Sequence, residues 1–91
     1  KYGPLQINTE KYSVKLNGKK VKMAKKEFEL LVLLTSSPGK VFKREEILSK
    51  VWGKEVIVGD RTIDVHIRKL REKIGSEFIR TLKGVGYKFE F

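Results

Sequence analysis

The feature that most constrains the fold of this chain is the stretch DRTIDVHIRKLREKIG, Asp60–Gly75. At about 100° per residue this stretch forms an amphipathic helix. One edge is wholly apolar, with the i, i+4, i+7, i+11 spacing of a core-facing stripe: Ile63, Ile67, Leu70 and Ile74. The opposite edge is largely basic: Arg61, Val65, Arg68, Lys69 and Glu72. The rest of the domain must bury the apolar edge, which leaves the basic edge outside.

A basic helix face of this kind suits a nucleic-acid groove. Its long cationic side chains can reach phosphates and base edges, and Thr62 and Val65 could pack against a thymine methyl group. Thr62 and His66 lie on one flank of the face, and Asp64 and Arg71 lie on the other. An ordinary solvated helix face has a similar composition. The helix alone therefore does not decide its function.

Size and charge narrow the choice. With 91 residues the chain is predicted to be one domain, residues 1–91. Its 21 Lys and Arg against 11 Asp and Glu give a net charge of +10, which favours a polyanionic partner. The charge is spread over the chain, because residues 1–42 carry +6 and residues 43–91 carry +4. Local placement of the charges is therefore more informative than their sum.

Several classes of protein are excluded or disfavoured. The sequence has no cysteine and one histidine, so we expect no disulfide, metal site or cofactor. We expect no enzyme, because no Ser/His/Asp or Cys/His set is available and the carboxylates lie beside Lys and Arg. No apolar run reaches the length of a membrane span, and the start lacks the apolar core of a signal peptide. We expect a cytoplasmic protein, and the start near Gly3 and Pro4 suggests a fragment of a longer one.

The remaining pattern predicts an α+β fold. Alternating residues predict short strands, Asn17 and Gly18 predict a hairpin turn, and apolar spacing predicts two more helices before the basic one. The predicted order is strands Leu5–Asn8, Tyr12–Leu16 and Lys20–Met23, helix Lys25–Ser36, extended Val41–Phe42, helix Lys43–Trp52, loop Gly53–Gly59, helix Asp60–Gly75, and a hairpin of Phe78–Leu82 and Tyr87–Phe91. The result is a winged helix-turn-helix of three helices and a C-terminal β-hairpin wing, with an N-terminal antiparallel β-sheet.

Two runs in the second half, DRTIDVHIRKLREKI and IRTLKGVGYKF, resemble the signature of the effector domain of OmpR/PhoB-type response regulators. The resemblance also takes in KEFELLVLL, KREEILSKVWG and the leading strands, so it covers nearly the whole chain. Matches this long are far more specific than composition. They imply a winged-helix, DNA-binding transcription factor domain of a two-component phosphorelay system, which normally follows an N-terminal receiver domain absent from this chain.

The resemblance also implies which residues contact DNA. The third helix enters the major groove, and the wing reaches the adjacent minor groove. The recognition-helix contacts carried over by position are Arg61, Thr62, Val65, His66, Arg68, Lys69 and Arg71. The wing and backbone contacts are Trp52, Thr81, Lys83, Gly84 and Tyr87. The family more often has Arg at the position of Lys83, and Lys lacks the planar fork of Arg, so a weaker minor-groove preference is expected.

Further partners are implied by the same resemblance. The isolated domain is expected to be a monomer that forms a head-to-tail pair on direct-repeat half-sites. The loop 53–59 corresponds to the surface that contacts RNA polymerase, through Lys54, Glu55, Val56, Ile57 and Val58. Its three consecutive β-branched residues either fold back onto the core or are free for such a partner.

Some of these residues have a structural explanation as well. Trp52 is interpreted first as an anchor of the helix-turn-helix, and His66 is as easily a structural histidine as a contact. Gly84 and Gly86 are interpreted as hairpin residues that need positive φ. Asp64, flanked by Arg61 and Arg68, is interpreted as an orienting partner for those two side chains.

Two positions depart from the family pattern. Ala24 and Lys43 stand before the first and second helices, where Thr or Ser is usual. Neither can provide the side-chain oxygen that caps the first-turn amides.

Two other functions fit parts of the sequence. A basic RNA-binding or ribosome-associated module would use the lysine-rich first half, with Tyr2 or Tyr12 stacking bases, although A-form grooves do not admit a helix. A winged-helix protein-interaction module would explain the apolar loop but not the Arg-rich helix face.

Overall fold

The computed structural model describes residues 3–53 and 61–90. The chain forms a small N-terminal sheet, a helical centre and a C-terminal wing, as predicted. The elements are β1 (Leu5–Asn8), β2 (Ser13–Leu16), β3 (Lys19–Val21), α1 (Lys25–Thr35), β4 (Val41–Lys43), α2 (Arg44–Ile47), a π-helical segment (Leu48–Trp52), α3 (Thr62–Ile74), β5 (Ile79–Leu82) and β6 (Gly86–Phe89). Within the described ranges, no helix is both long and apolar enough to cross a lipid bilayer.

The N-terminal sheet is antiparallel, in the order β1-β2-β3. Leu5 pairs with Leu16, and Val14 with Val21, so the inner face carries the apolar residues. The predicted Asn17–Gly18 turn is confirmed, with φ of 53° and 80°, the left-handed values that a tight hairpin turn requires. Tyr12 was predicted inside β2 but lies in the preceding turn, because its φ of 52° is incompatible with a strand.

Helix α1 forms the centre of the core. It contributes Phe28, Leu30, Leu31 and Leu34, all buried, and contacts α3, the π-helical segment and β6. It ends before Ser36, whose amide donates to the carbonyls of α1 and whose hydroxyl donates to the Leu33 carbonyl at 2.6 Å. The predicted helix stop is thus one residue earlier than expected.

The wing is part of a three-stranded sheet in the order β4-β6-β5, rather than a two-stranded hairpin as predicted. Residues Val41 and Phe42, predicted only as extended, pair with Lys88 and Tyr87. Gly86 makes this pairing possible, because a Cβ on Gly86 would overlap the Phe42 carbonyl oxygen. The explanation of Gly86 by positive φ was therefore wrong, whereas Gly84 does have a φ of 76°.

The second helical stretch was predicted as one continuous helix from Lys43 to Trp52. It is α-helical at its start and π-helical at its end. After α2 it widens into the π-helical segment, where the Gly53 amide donates to the carbonyl five residues back, Leu48, at 3.0 Å. At the same end, the Val51 carbonyl accepts a hydrogen bond from the Lys26 ammonium of α1 at 2.8 Å. This bond ties the end of the segment to the central helix.

Candidate nucleic-acid interface

Helix α3 separates a buried stripe from an exposed face, as the sequence predicted. Ile63, Ile67, Leu70 and Ile74 are each at most 1% exposed. The exposed side carries Arg61, Asp64, Val65, Arg68, Lys69 and Glu72. Arg61, Asp64, Val65 and Arg68 surround a shallow, open depression of about 370 Å³. This side of α3 is therefore an accessible polar surface with an apolar spot at Val65, which is 37% exposed.

Asp64 is held by two residues outside its own helix. Its Oδ1 accepts from the Arg44 guanidinium at 2.7 Å and from the Tyr87 hydroxyl. Arg44 also reaches the Tyr87 hydroxyl, at 3.5 Å. The prediction that Asp64 orients Arg61 and Arg68 was wrong, because the partners come from α2 and β6. No spacing along the chain connects positions 44, 64 and 87, so sequence reasoning missed Arg44.

The pKa shifts of the residues in the Arg44–Asp64–Tyr87 cluster follow from their burial and hydrogen bonds. The hydrogen bond from Arg44, with that from Tyr87, lowers the pKa of Asp64 below its ordinary value. Burial, followed by the hydrogen bond to Asp64, raises the pKa of Tyr87. At neutral pH the cluster therefore holds an ionised carboxylate and a protonated phenol. It links the recognition helix to α2 and to the wing.

A second link joins α3 to the wing. The Arg71 guanidinium donates to the Ile79 carbonyl and to the Thr81 hydroxyl oxygen, both at 2.7 Å. Two predicted DNA contacts, Arg71 and Thr81, are thus bonded to each other. Because Thr81 accepts from Arg71, its own hydroxyl hydrogen remains available to donate outward. Thr81 is exposed, so a phosphate could accept that bond.

Trp52 and His66 form the junction between the π-helical segment and α3. Their rings meet edge to face, with centroids 5.0 Å apart. The His66 Nδ1–H donates to the Thr62 carbonyl at 2.8 Å, and both aromatic residues are half-buried. The structural explanations of Trp52 and His66 therefore have direct support. Their predicted DNA contacts remain predictions.

The wing tip and the remaining predicted residues differ in accessibility. Lys83 and Gly84 are exposed in the turn between β5 and β6, next to Val85, which is 47% exposed. Tyr87 is only 5% exposed and its hydroxyl is bonded to Asp64. The predicted polymerase-contact residues 54–58 lie outside the described residues. Among the described residues, no group of three or more His, Cys, Asp or Glu is placed to hold a metal ion.

Comparison with known proteins gives the same class of protein as the sequence resemblance. Residues 18–89 match the family model "Transcriptional regulatory protein, C terminal". The uncharacterized transcriptional regulatory protein YclJ of Bacillus subtilis (strain 168) is 47% identical over 88 residues, which are 92% of this chain and 39% of that protein. The chain thus spans about two fifths of the length of this relative.

Solved structures agree with the family match. The response regulator DrrB of Thermotoga maritima, an OmpR/PhoB homolog, superposes with a TM-score of 0.92 at 36% identity, over 100% of this chain and 43% of that chain. The DNA-binding domain of Klebsiella pneumoniae RstA, solved in complex with the RstA box, superposes with a TM-score of 0.87 at 29% identity, over 98% and 93%.

Fold and surface together define a winged-helix DNA-binding domain of a transcription regulator, and not an enzyme. The chain belongs to the family of C-terminal domains of OmpR/PhoB-type response regulators.

Proposed function

We propose that this chain binds double-stranded DNA sequence-specifically, with α3 in the major groove and the β5–β6 wing in the adjacent minor groove. The observation that carries the proposal is the division of α3 into a buried apolar stripe and an exposed face with Arg61, Val65, Arg68 and Lys69. RstA, which has the same fold, was solved with DNA.

The dimensions of α3 fit this role. Its 13 residues span about 20 Å, and the major groove, about 12 Å wide, admits a helix. Arg68 lies in the middle of the exposed face, where a guanidinium can donate two hydrogen bonds to a guanine. Arg61, at the start of that face, and Lys69, about 100° around the helix from Arg68, can reach phosphates beside the groove. Arg68 is therefore the residue that we assign to base recognition.

The orientation of α3 relative to the wing depends on its two links. Asp64 bonds to Arg44 and Tyr87, and Arg71 bonds to β5. When α3 lies in the major groove, these bonds fix where the exposed tip at Lys83 and Gly84 falls. In this arrangement Lys83 meets the minor groove without base-specific geometry, because an ammonium is a point charge.

The larger assembly follows from the same proposal. The domain acts as the effector part of a two-component response regulator in the bacterial cytoplasm, downstream of a receiver domain. Alone it is a monomer, and it pairs head to tail on direct-repeat half-sites. The loop 53–59 contacts RNA polymerase. The support for these steps is the family and the similarity to DrrB, a response regulator.

The test is selection of bound duplexes from a random pool, at several salt concentrations. The wild-type chain should enrich a repeated half-site, and Arg68→Ala should lose the enrichment. Lys22→Ala removes the same charge from an exposed position before α1 and is the matched control, so it should keep the enrichment.

Salt-sensitive binding without enrichment would show that the chain binds polyanions without sequence specificity. Competition by duplex RNA as strong as by DNA would support the RNA-binding alternative. That alternative is weakened by Tyr12, because one face of its ring stacks on Phe28, with centroids 4.7 Å apart.

A further inference from the structure

The turn between β5 and β6 carries an apolar side chain, Val85, that is 47% exposed. The other two exposed large hydrophobic residues of the described chain are Tyr12, which stacks on Phe28, and Val65, which lies on the exposed face of α3. Single exposed apolar residues are common on protein surfaces, so exposure alone does not indicate a function. For Val85 the geometry of the turn adds the information that exposure lacks.

The turn holds Val85 in a fixed place. The Val85 amide donates to the Leu82 carbonyl at 2.9 Å, and Gly84 has a φ of 76°, the positive value that a type II turn requires at its third position. After Val85 the chain is again fixed, because a Cβ on Gly86 would lie 2.0 Å from the Phe42 carbonyl oxygen of β4. The side chain of Val85 is β-branched, so its χ1 is restricted as well. Contact with a partner therefore costs little conformational entropy.

The tip of the turn is also thin. A Cβ built on Gly84 would meet no heavy atom of the described chain within 4 Å, so Gly84 faces open space as bare backbone. The exposed side chains of Lys83 and Val85 flank it. Lys83 is the only charged residue in the sequence from Leu82 to Gly86. The turn thus presents a cation, a bare backbone segment and a branched apolar side chain in succession.

This succession matches the chemistry of the minor groove of B-DNA. The groove is about 6 Å wide, and a turn without a side chain at Gly84 can approach its walls closely. Phosphates line the rim, where Lys83 can reach them, and C–H groups of deoxyribose line the walls. The isopropyl group of Val85 cannot form hydrogen bonds with bases, but it gains apolar contact with those walls.

Apolar contact of this kind depends on the width of the groove. A-tracts have a narrow minor groove, which brings the sugar walls nearer to Val85 and strengthens the negative potential that attracts Lys83. The two residues therefore favour the same DNA for different physical reasons. A protein pocket for Val85 would have to accommodate the adjacent Lys83 ammonium as well, which favours DNA as the partner.

We propose that Val85 is a specificity-determining residue, which packs against deoxyribose and makes the wing select a narrow, A·T-rich minor groove beside the half-site. The inference rests on the proposed function, in which the wing lies in the minor groove. It assigns the selection of groove width to an apolar contact, and it leaves the electrostatic part of the wing contact to Lys83.

The test is the affinity for duplexes with one half-site, enriched from the random pool, between flanks of A·T pairs only or G·C pairs only. Val85→Ala should weaken binding to the A·T duplex about fourfold, as expected for two methyl groups that are half-buried in the contact. Binding to the G·C duplex, with its wider minor groove, should weaken by less than about twofold. Val32→Ala removes the same two methyl groups from α1 and is the matched control, so it should keep the wild-type ratio of the two affinities.

The salt dependence separates a contact by Val85 from an indirect effect on Lys83. Val85→Ala should leave the slope of the affinity against salt unchanged, because an apolar contact releases no counterions, whereas Lys83→Gln should reduce that slope. A slope reduced by Val85→Ala would mean that the substitution displaces Lys83, and the proposed contact would then be wrong. Equal urea midpoints for the wild type and Val85→Ala are expected, because the side chain lies outside the core.

The single half-site also separates DNA from a second copy of the chain as the partner of Val85. A loss of affinity seen only on duplexes with two half-sites would overturn the proposal in favour of a contact between copies. Equal weakening on the A·T and G·C flanks would show that Val85 does not sense groove width, and it would overturn the proposal too. If the wild type enriches a half-site and Val85→Ala binds both duplexes like the wild type, this inference fails alone. Failure to enrich any half-site would instead contradict the proposed function itself.

Discussion

At the scale of single residues, one carboxylate joins α3 to both α2 and the wing. Asp64 lies on the exposed face of α3, yet its two hydrogen-bond donors are Arg44, the first residue of α2, and Tyr87 of the wing strand β6. The carboxylate thus joins α3 to two other elements at the proposed DNA-binding surface. Asp64 is a positioning residue in this arrangement, and Arg44 and Tyr87 determine its geometry.

Tyr87→Phe tests this cluster, because it removes the hydroxyl and keeps the buried ring. A hydrogen bond to a charged group contributes about 1.5 to 3 kcal/mol, and Asp64 is half-exposed, so we expect a loss of about 1 kcal/mol of unfolding free energy. The pKa of Asp64 should rise, because one of the two bonds that lower it is lost. Urea unfolding and a carboxyl NMR titration measure both changes. Tyr12→Phe is the matched control, and an equal effect there would contradict the role of the Tyr87 hydroxyl.

The buried carboxylate of Glu27 makes stability depend on pH. Glu27 is 3% exposed, pairs with Lys73 and accepts from the Ala24 amide at 3.1 Å. Burial alone would raise its pKa, but the bonds from Lys73 and Ala24 outweigh burial, so the pKa is lowered from 4.5. A group with a lowered pKa in the folded state stabilises the fold above its unfolded pKa. This contribution is lost as pH falls below about 4.5 through the folded value.

Glu27→Gln should therefore lower the unfolding free energy by about 1 to 2 kcal/mol at pH 7 and flatten the fall in stability below pH 4.5. The measurement is the urea midpoint from pH 7 to pH 3. Glu45→Gln, at an exposed position in α2, is the control. An acid limb as steep in Glu27→Gln as in the wild type would show that other carboxylates determine it.

At the scale of elements, two helices begin without a side-chain cap, as the sequence predicted. Ala24 and Lys43 have the extended backbone of N-cap residues, with ψ of 156° and 154°, but no side chain accepts from the first-turn amides. The reverse bond is present at α1, where Glu27 accepts from the Ala24 amide. Half of a capping box is thus already in place.

Ala24→Thr should complete that capping box and raise the unfolding free energy by about 0.5 to 2 kcal/mol. The backbone needs no rearrangement, because ψ of 156° already suits an N-cap Thr. Ala24→Val has nearly the same shape and no oxygen, so it separates the hydrogen bond from the effect of β-branching. An equal urea midpoint for the Thr and Val variants would rule out the cap as the cause.

What could be predicted from the sequence depends on whether the determining contacts are local. The stripe of α3 and the Asn17–Gly18 turn depend on neighbouring residues, and both were predicted correctly. The pairing of β4 with β6 was missed, because it depends on the close approach of Gly86 to Phe42, far along the chain. The Arg44–Asp64 bond was missed for the same reason. Arg61 and Arg68 are nearer in sequence, so Asp64 was assigned to them instead.

At the scale of the whole molecule, the net charge of +10 is not confined to α3 and the wing. Three exposed lysines at the N-terminal sheet, Lys11, Lys15 and Lys20, line a depression that includes none of the proposed DNA contacts. If only α3 and the wing contact DNA, the total charge overstates the electrostatic part of DNA binding. The salt dependence of the affinity distinguishes these cases, because it counts the phosphates that are neutralised.

The proposed DNA contacts include four exposed cations, namely Arg61, Arg68, Lys69 and Lys83. If each neutralises one phosphate, the logarithm of the association constant should fall with the logarithm of salt concentration with a slope of about −3.6, whereas engagement of the full net charge would give about −9. Fluorescence anisotropy with a labelled duplex between 50 and 300 mM salt, roughly the range over which such slopes are read, measures it. Lys83→Gln should reduce the slope by about 0.9, and Lys15→Gln should leave it unchanged. A reduction by Lys15→Gln as large as that by Lys83→Gln would mean that DNA also reaches the N-terminal sheet, and the confinement of the contacts to α3 and the wing would then be wrong.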